Sequence, residues 1–231
     1  GFGEPLGIVI DQFTELYVAD VGNHRIERFN TEGKANRTWG SEAGIANVWF
    51  RATRKYHVSG SMPGEKPGQF TNPVDVTVIP GKDADGFAVL DAKGRIQVFD
   101  GNGSPLVSWE VRSDNTIEAG IGGQGYIEFV RGKIAVMWAG EAFVYSTKGV
   151  EVDHWDIEDG APNGCVSFKN GKLGFIYGRD LLMYSLDGFR HGSLLHGDER
   201  GEGYEDFDAT VDQDGKLWVV TDTGVAVKYR R

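Results

Sequence analysis

The sequence predicts an all-β protein built from repeated antiparallel sheets, and three recurring features support this prediction. Aromatic residues recur at intervals of 70, 46, 39 and 45 residues: Phe29, Phe99, Tyr145, Tyr184 and Tyr229. A glycine follows each of the first four aromatics by four residues, and a tryptophan follows each of the first three by ten. Intervals of about 40 to 45 residues are typical of one four-stranded blade of a β-propeller. We therefore expect five propeller units.

Each unit is expected to contain short strands, because runs of branched and aromatic residues alternate with polar turns that contain glycine. Strands of the first two units are predicted at residues 8–10, 16–19, 25–29, 34–38, 75–79, 86–90, 95–99 and 105–109. Those of the third and fourth units are predicted at 126–130, 133–138, 142–145, 150–155, 165–168, 173–177, 181–184 and 192–195. The fifth unit has candidates at 209–212, 217–220 and 226–229, so the last blade is expected to be incomplete. A longer chain or a partner would supply the missing strand.

The recurring residues have physical reasons to occur together. A short hairpin needs a residue that accepts a positive φ, which explains the glycine. The tryptophan and the aromatic before it are expected to pack one sheet on its neighbour. The first interval is longer than the others but too short for another blade, so residues 40–67 are interpreted as an insertion. We expect one domain over residues 1–231.

Two of the units resemble a known repeat. The first contains Pro5–Asp11, Leu16–Asp20 and Gly22–Ile26, and together these resemble the NHL repeat, named for its Asn-His-Leu-like signature. The second contains the similar segments 68–73, 88–91 and 94–100, whereas the last three units keep only the spacing. The resemblance implies a β-propeller, commonly six-bladed, that serves as a binding scaffold in many proteins and as a catalytic platform in a minority.

Composition limits the classes of partner. The formal net charge is −10, from 24 basic and 34 acidic residues, which disfavours a nucleic acid because phosphate contacts require a basic surface. RNA binding, which some NHL propellers perform, is therefore the less favoured alternative. No apolar run approaches the roughly 18 residues of a membrane span. Cys165 is the single cysteine and excludes an internal disulfide. The family's frequent secreted members and the acidic composition favour an extracytoplasmic location, periplasmic or secreted.

The loops joining second to third strands are the predicted functional region, because loops on a rigid scaffold usually carry binding. The resemblance places these loops and the insertion on one face of the propeller. The insertion combines aromatic and basic residues of the kinds that anchor interfaces, although an extra hairpin with solvated basic residues would look the same. Candidate partner-binding residues are Trp49, Arg51, Arg54, Tyr56, His24, Arg25, Lys93, Glu141, Arg179 and Asp222. In the family, residues like His24 and Arg25 often brace the loop instead.

The sequence favours a non-catalytic module that binds a protein or carbohydrate partner, within a larger assembly, over an enzyme. The five histidines do not fall at one repeated position, and no nucleophile elbow is present. The two Asp-x-Asp-Gly segments beginning at Asp83 and Asp212 lack the glutamate of a calcium loop and fit hairpin turns. No catalytic residue, metal ligand or cofactor is therefore assigned. The alternative is a metal-dependent lyase or lactonase-like hydrolase with its site in the central funnel.

Overall fold

A computed structural model describes residues 1–40, 63–113, 125–157, 160, 162–177, 180–195, 207–211, 215–221 and 226–229. The chain divides into two compact units. Unit 1 comprises Gly1–Arg112 with Thr116–Ile127, and unit 2 comprises Ser113–Asn115 with Glu128–Arg231. The organisation of residues 1–231 as one domain stays a prediction. Within the described residues, no helix is long and apolar enough to cross a membrane.

Unit 1 contains two four-stranded antiparallel sheets in which each strand pairs with the next along the chain. The first sheet consists of β1 (Pro5–Ile10), β2 (Leu16–Asp20), β3 (Arg25–Phe29) and β4 (Ala35–Gly40). The second consists of β5 (Pro73–Ile79), β6 (Gly86–Asp91), β7 (Arg95–Phe99) and β8 (Pro105–Glu110). A short 3-10 turn, Val21–Asn23, links β2 to β3.

The third and fourth sheets have the same order. The third, most of which belongs to unit 2, consists of β9 (Tyr126–Val130), β10 (Lys133–Trp138), β11 (Glu141–Ser146) and β12 (Glu151–Asp156). The fourth consists of β13 (Gly164–Ser167), β14 (Leu173–Tyr177), β15 (Asp180–Tyr184) and β16 (Arg190–Leu195). The fifth has three strands in the part of the chain that is described, β17 (Phe207–Val211), β18 (Leu217–Thr221) and β19 (Ala226–Tyr229).

Every strand predicted from the sequence is present, and the largest difference lies in β1. This strand was expected from Ile8 but begins at Pro5, which pairs with Asp20 ahead of an irregularity in the register. Proline lacks the N–H group for a ladder hydrogen bond, yet it is tolerated as the first residue of a strand. Strand prediction succeeded because it depends on local alternation, whereas the exact ends depend on pairing partners.

An aromatic cluster fills the space between the two sheets of unit 1. The ring of Phe87 stacks on that of Phe99 with centroids 4.5 Å apart, and it contacts the rings of Trp39 and Tyr17 at 4.7 and 5.4 Å. All four side chains are buried together with aliphatic residues from both sheets. In unit 2 a smaller cluster joins the fourth and fifth sheets through Val166, Ile176, Leu181, Leu217 and Val219.

The repeated glycines occupy the backbone conformation that the sequence predicted. Each of the four lies in a hairpin before the outer strand with a positive φ between 73° and 80°: Gly33, Gly103, Gly149 and Gly188. Two of these glycines are also in contact with a tryptophan side chain of the preceding sheet. The indole Nε1 of Trp39 donates a hydrogen bond to the carbonyl oxygen of Gly103 at 3.0 Å, and the indole of Trp155 covers Gly188. In these two pairs the tryptophan of one sheet packs on the hairpin glycine of the next sheet, which is a physical reason for the two residues to occur together.

We expect Gly103→Ala to destabilise the protein more than Gly33→Ala. Both substitutions strain a positive φ, but an added Cβ at Gly33 meets nothing within 4 Å, whereas at Gly103 it would clash with the Trp39 indole, whose Nε1 is the nearest atom and whose Cε2 and Cζ2 would lie 2.7 Å away. Displacing a packed side chain typically costs about 1–3 kcal/mol. Denaturant unfolding of both variants measures the difference, and equal losses of unfolding free energy would contradict the proposed packing role of Gly103.

Candidate functional site

The described part of the candidate site consists of the turns that join the second strand of a sheet to the third. In unit 1, both turns follow an aspartate that ends the second strand, Asp20 or Asp91, and precede an arginine that opens the third, Arg25 or Arg95. All four of these charged residues are buried. Buried charges must be paired and hydrogen-bonded to be tolerated, so the bonding of these residues determines the shape of each turn.

The first turn is held by the carboxylate of Asp20, which has no exposed surface. Its Oδ2 accepts hydrogen bonds from Arg25 Nε at 2.6 Å and Asn23 Nδ2 at 2.8 Å, and its Oδ1 accepts one from the backbone N–H of Gly3 at 2.6 Å. Arg25 Nη2 also donates to the carbonyl oxygen of Gly1 at 3.1 Å. The Asp20–Arg25 ion pair therefore connects the turn to the segment that precedes β1.

The second turn repeats this arrangement with a longer preceding segment. Asp91 Oδ1 accepts hydrogen bonds from the backbone N–H groups of Lys93 and Arg95, and its Oδ2 accepts one from Arg95 Nε at 3.1 Å. The guanidinium of Arg95 also donates to three backbone carbonyls, those of Gly64, Glu65 and Gln69, at 3.0, 2.6 and 2.7 Å. Burial raises the pKa of the Asp91 carboxyl, and the neighbouring Arg95 guanidinium opposes that rise.

His24 connects the first turn to the second sheet. Its backbone is left-handed, with φ of 52°, and its N–H donates to the carbonyl oxygen of Val21 at 3.0 Å. The ring Nδ1 accepts a hydrogen bond from the backbone N–H of Asn72 at 3.1 Å, just before β5. The ring therefore links the first turn to the backbone that leads into β5.

Lys93 is the solvent-exposed member of the described candidates. Its Nζ lies 2.6 Å from Oε1 of Glu65, with 58% of the Lys93 side chain and 75% of the Glu65 side chain exposed. The hydrogen bond between them lowers the pKa of the Glu65 carboxyl and raises that of the Lys93 ammonium. An exposed pair of this kind exchanges readily for contacts with another molecule.

Glu141 occupies the same position in the third sheet as Arg25 and Arg95 do in the first two, because it opens β11. It is buried, and its Oε2 accepts a hydrogen bond from the hydroxyl of Ser113. The first residue of the third strand thus anchors a segment preceding the first strand in all three sheets, whether its charge is positive or negative.

Six candidates lie outside the described residues: Trp49, Arg51, Arg54, Tyr56, Arg179 and Asp222. Only residues 40 and 63–67 of the predicted insertion are described. The roles of these six therefore stay predictions. Conversely, the bracing roles of Asp20 and Asp91 were missed, although the aspartate lies four or five residues before an arginine in both NHL-like units. That spacing across a tight turn is the signal that could have revealed them.

The described parts of the two units contain no group of three or more histidine, cysteine, aspartate or glutamate side chains arranged to hold a metal ion. Asp85, in one of the two Asp-x-Asp-Gly segments, is buried. Its carboxylate accepts hydrogen bonds from the side chain and backbone of Gln12 and from the backbone of Gly81. These contacts brace the hairpin loop between β5 and β6, as the favoured turn interpretation expects.

Comparison with known proteins defines the fold. The sequence matches no protein-family model and no curated protein. Among solved structures it is similar to virginiamycin B lyase from Staphylococcus aureus, with a TM-score of 0.58 and 13% identity, covering 98% of this chain and 69% of that one. A streptogramin B lyase gives a TM-score of 0.62 at 13% identity, covering 97% of this chain and 65% of that one.

A third structure, BBS1N in complex with ARL6DN, gives a TM-score of 0.60 at 14% identity and covers 99% of this chain and 64% of that one. The chain thus spans about two thirds of the length of these propellers. Sequence identities of 13–14% support a shared architecture but do not establish a shared function. Similarity to these structures and the succession of antiparallel sheets together establish that this chain has a β-propeller fold.

Proposed function

We propose that this propeller is a non-catalytic interaction module that binds a protein partner through the face carrying the turns between second and third strands. The observation that supports this best is the pair of buried Asp–Arg bridges, which hold the backbone of two successive turns and of the segments before them. A surface whose backbone is fixed before binding loses less conformational entropy when a partner docks.

The chemistry of the face suits such a role. The buried residues Arg25 and Glu141 would shape the face, while Lys93 and Glu65 present exposed charges at its surface. The insertion would add the aromatic and arginine side chains that commonly dominate interface energies, namely Trp49, Arg51, Arg54 and Tyr56. Arg179 and Asp222 would extend the same face in the fourth and fifth sheets.

The comparisons support a binding role by analogy. The similar BBS1N propeller was solved in complex with a protein, ARL6DN. The first two sheets contain NHL-like segments, and many NHL proteins serve as binding scaffolds. We therefore also propose that the chain belongs to this family and contributes to a six-bladed ring. We further propose that the protein is extracytoplasmic and works within a larger assembly. A carbohydrate is the alternative partner for the same face.

The proposal predicts that the quadruple substitution of Trp49, Arg51, Arg54 and Tyr56 by alanine abolishes partner capture while leaving folding intact. The measurement is recovery of crosslinked proteins on the tagged chain, with circular dichroism to verify the fold. Lys93→Ala is expected to weaken capture, because it removes an exposed charge from the face. Lys148→Ala is the matched control, since Lys148 is exposed in the hairpin after β11, at the other end of the strands. Equal capture by all variants would refute the assignment of this face.

The second candidate is a metal-dependent lyase, and the structural similarity to the proteins named virginiamycin B lyase and streptogramin B lyase supports it by analogy. Two measurements distinguish it from the binding module. Stoichiometric metal in the purified protein, together with metal-dependent consumption of a streptogramin B compound, would favour the enzyme. A protein that captures its partner with neither property would be the interaction module.

A further inference from the structure

A groove lies at the hairpin ends of the third and fourth sheets in unit 2, at the opposite strand ends from the turns of the candidate functional site. Its volume is about 420 Å³, which is within the roughly 300–1,000 Å³ typical of small-molecule sites. The turn after β9, the turn after β13 and the turn after β15 contribute to its walls, together with β11 and β12. None of the four proposed binding residues that the structure describes, His24, Arg25, Lys93 and Glu141, lines it.

Three cations line this groove: Arg131, Lys133 and Lys172. Across the described ranges, none of the three forms an ion pair with a carboxylate. The chain as a whole carries a net charge of −10, so unpaired positive charge concentrated in one groove departs from the rest of the protein. The three cations outnumber the two carboxylates in the lining, Asp153 and Asp187, so the groove has a small net positive charge. A cleft with a net charge of one sign attracts a ligand of the opposite sign.

The position of Arg131 depends on a glycine of the neighbouring sheet. The Arg131 side chain lies against the backbone of Gly171, where an added Cβ would come within 2.6 Å of the guanidinium carbon. Arg131 itself has a left-handed backbone, with φ of 47°, a conformation that costs free energy for a residue other than glycine. Although Arg131 is exposed, its side chain therefore packs on the hairpin that contains Gly171.

The lysines are not required by the turns that carry them. In the third, fourth and fifth sheets the first hairpin contains a glycine with positive φ followed by lysine: Gly132-Lys133, Gly171-Lys172 and Gly215-Lys216. The first sheet makes the corresponding turn with Thr14, at φ of 64°, followed by Glu15. The backbone thus demands a residue that accepts positive φ, whereas the positive charge after it is a separate feature of these three sheets.

The remaining lining residues limit what the groove can hold. Val144, Val152 and Leu186 provide apolar surface. Two carboxylates, Asp153 and Asp187, also line the groove but accept hydrogen bonds close to themselves in sequence. Asp153 Oδ1 accepts from the N–H of His154 at 3.0 Å, and Asp187 Oδ1 accepts from the Ser185 hydroxyl and from the N–H of Phe189 at 3.4 Å.

We propose that this groove binds a small organic anion consisting of a carboxylate or phosphate group on a compact apolar body. The guanidinium of Arg131 can form two parallel hydrogen bonds with either anionic group. Lys133 and Lys172 add positive charge around it, and the aliphatic side chains cover the apolar body. This site is independent of the interaction face proposed above.

Isothermal titration calorimetry at low salt tests the proposal with three probes: phenyl phosphate, benzoate and inorganic phosphate. We expect saturable binding of a probe to the wild-type protein that weakens as salt rises. Arg131→Gln should weaken it by about tenfold or more, because a charge-assisted hydrogen bond is lost. Lys172→Gln should weaken it less. Lys148→Gln should bind as the wild type does, because Lys148 is exposed on a neighbouring hairpin but does not line the groove.

Gly171→Ala tests the geometry without changing the charge, since the added methyl group would displace Arg131 and weaken binding. Circular dichroism verifies that this variant folds, and the two glutamine substitutions decide the question if it does not. Preference for phenyl phosphate or for benzoate identifies the anionic group, and weaker binding of inorganic phosphate supports the apolar contribution. The proposal is wrong if no probe saturates the wild-type protein, or if both glutamine variants bind as tightly as the wild type.

Discussion

Arg95→Ala is expected to lower the free energy of unfolding by about 3–5 kcal/mol, the usual result of removing one partner of a buried ion pair. The substitution would leave the buried Asp91 carboxylate without its guanidinium partner. It would also remove the donors to the carbonyls of Gly64, Glu65 and Gln69. Chemical denaturation followed by tryptophan fluorescence measures the loss.

Lys93→Ala is the matched control, because it removes a cation two residues away in the same turn. The Lys93–Glu65 pair is exposed, so its loss should leave the unfolding midpoint nearly unchanged. The double substitution Asp91→Asn with Arg95→Ala should recover part of the stability lost in Arg95→Ala, since no buried charge is then left unpaired. Equal midpoints for Arg95→Ala and Lys93→Ala would show that the buried bridge does not hold the turn.

Phe87→Ala is expected to cost about 3–5 kcal/mol of unfolding free energy, as for other buried phenylalanines. The side chain is 1% exposed and lies at the centre of the aromatic cluster between the two sheets of unit 1. Its removal would leave a cavity and delete ring contacts with Phe99, Trp39 and Tyr17. Equilibrium denaturation measures the cost.

Phe13→Ala is the control for this second prediction, because the same atoms are removed from a side chain that is 50% exposed in the turn after β1. Its effect on unfolding should be small. Phe87→Leu should fall between the two, since a smaller apolar side chain refills part of the cavity. A Phe87→Ala variant as stable as Phe13→Ala would mean that the cluster does not join the sheets.

The contrast between Arg95 and Lys93 shows how much of the candidate site could be predicted. The sequence located the turns correctly, since His24, Arg25, Lys93 and Glu141 all lie at or beside the junction of a second and a third strand. It could not separate buried charges from exposed ones, because charged residues are almost always on the surface unless a partner compensates them. Those partners, such as the carbonyls that Arg95 contacts, come from segments distant in sequence.

The groove in unit 2 illustrates the same limit more strongly. The lysines that follow glycines in the hairpins are visible in the sequence, but nothing in the sequence brings two of them near Arg131. The packing of the third sheet beside the fourth places Arg131 against Gly171 and forms the cavity between them. The sequence analysis accordingly assigned no function to these hairpins.

The sequence by itself determined the strands, their grouping into sheets and the glycines with positive φ, because each depends on residues within one hairpin of each other. Only the tertiary structure decided that Trp39 packs on Gly103, that Arg25 and Arg95 brace turns from within, and that three cations meet in one groove. The physical reason is that these interactions join different sheets or distant segments. Their free energy therefore depends on burial and packing geometry, which local patterns of residues do not encode.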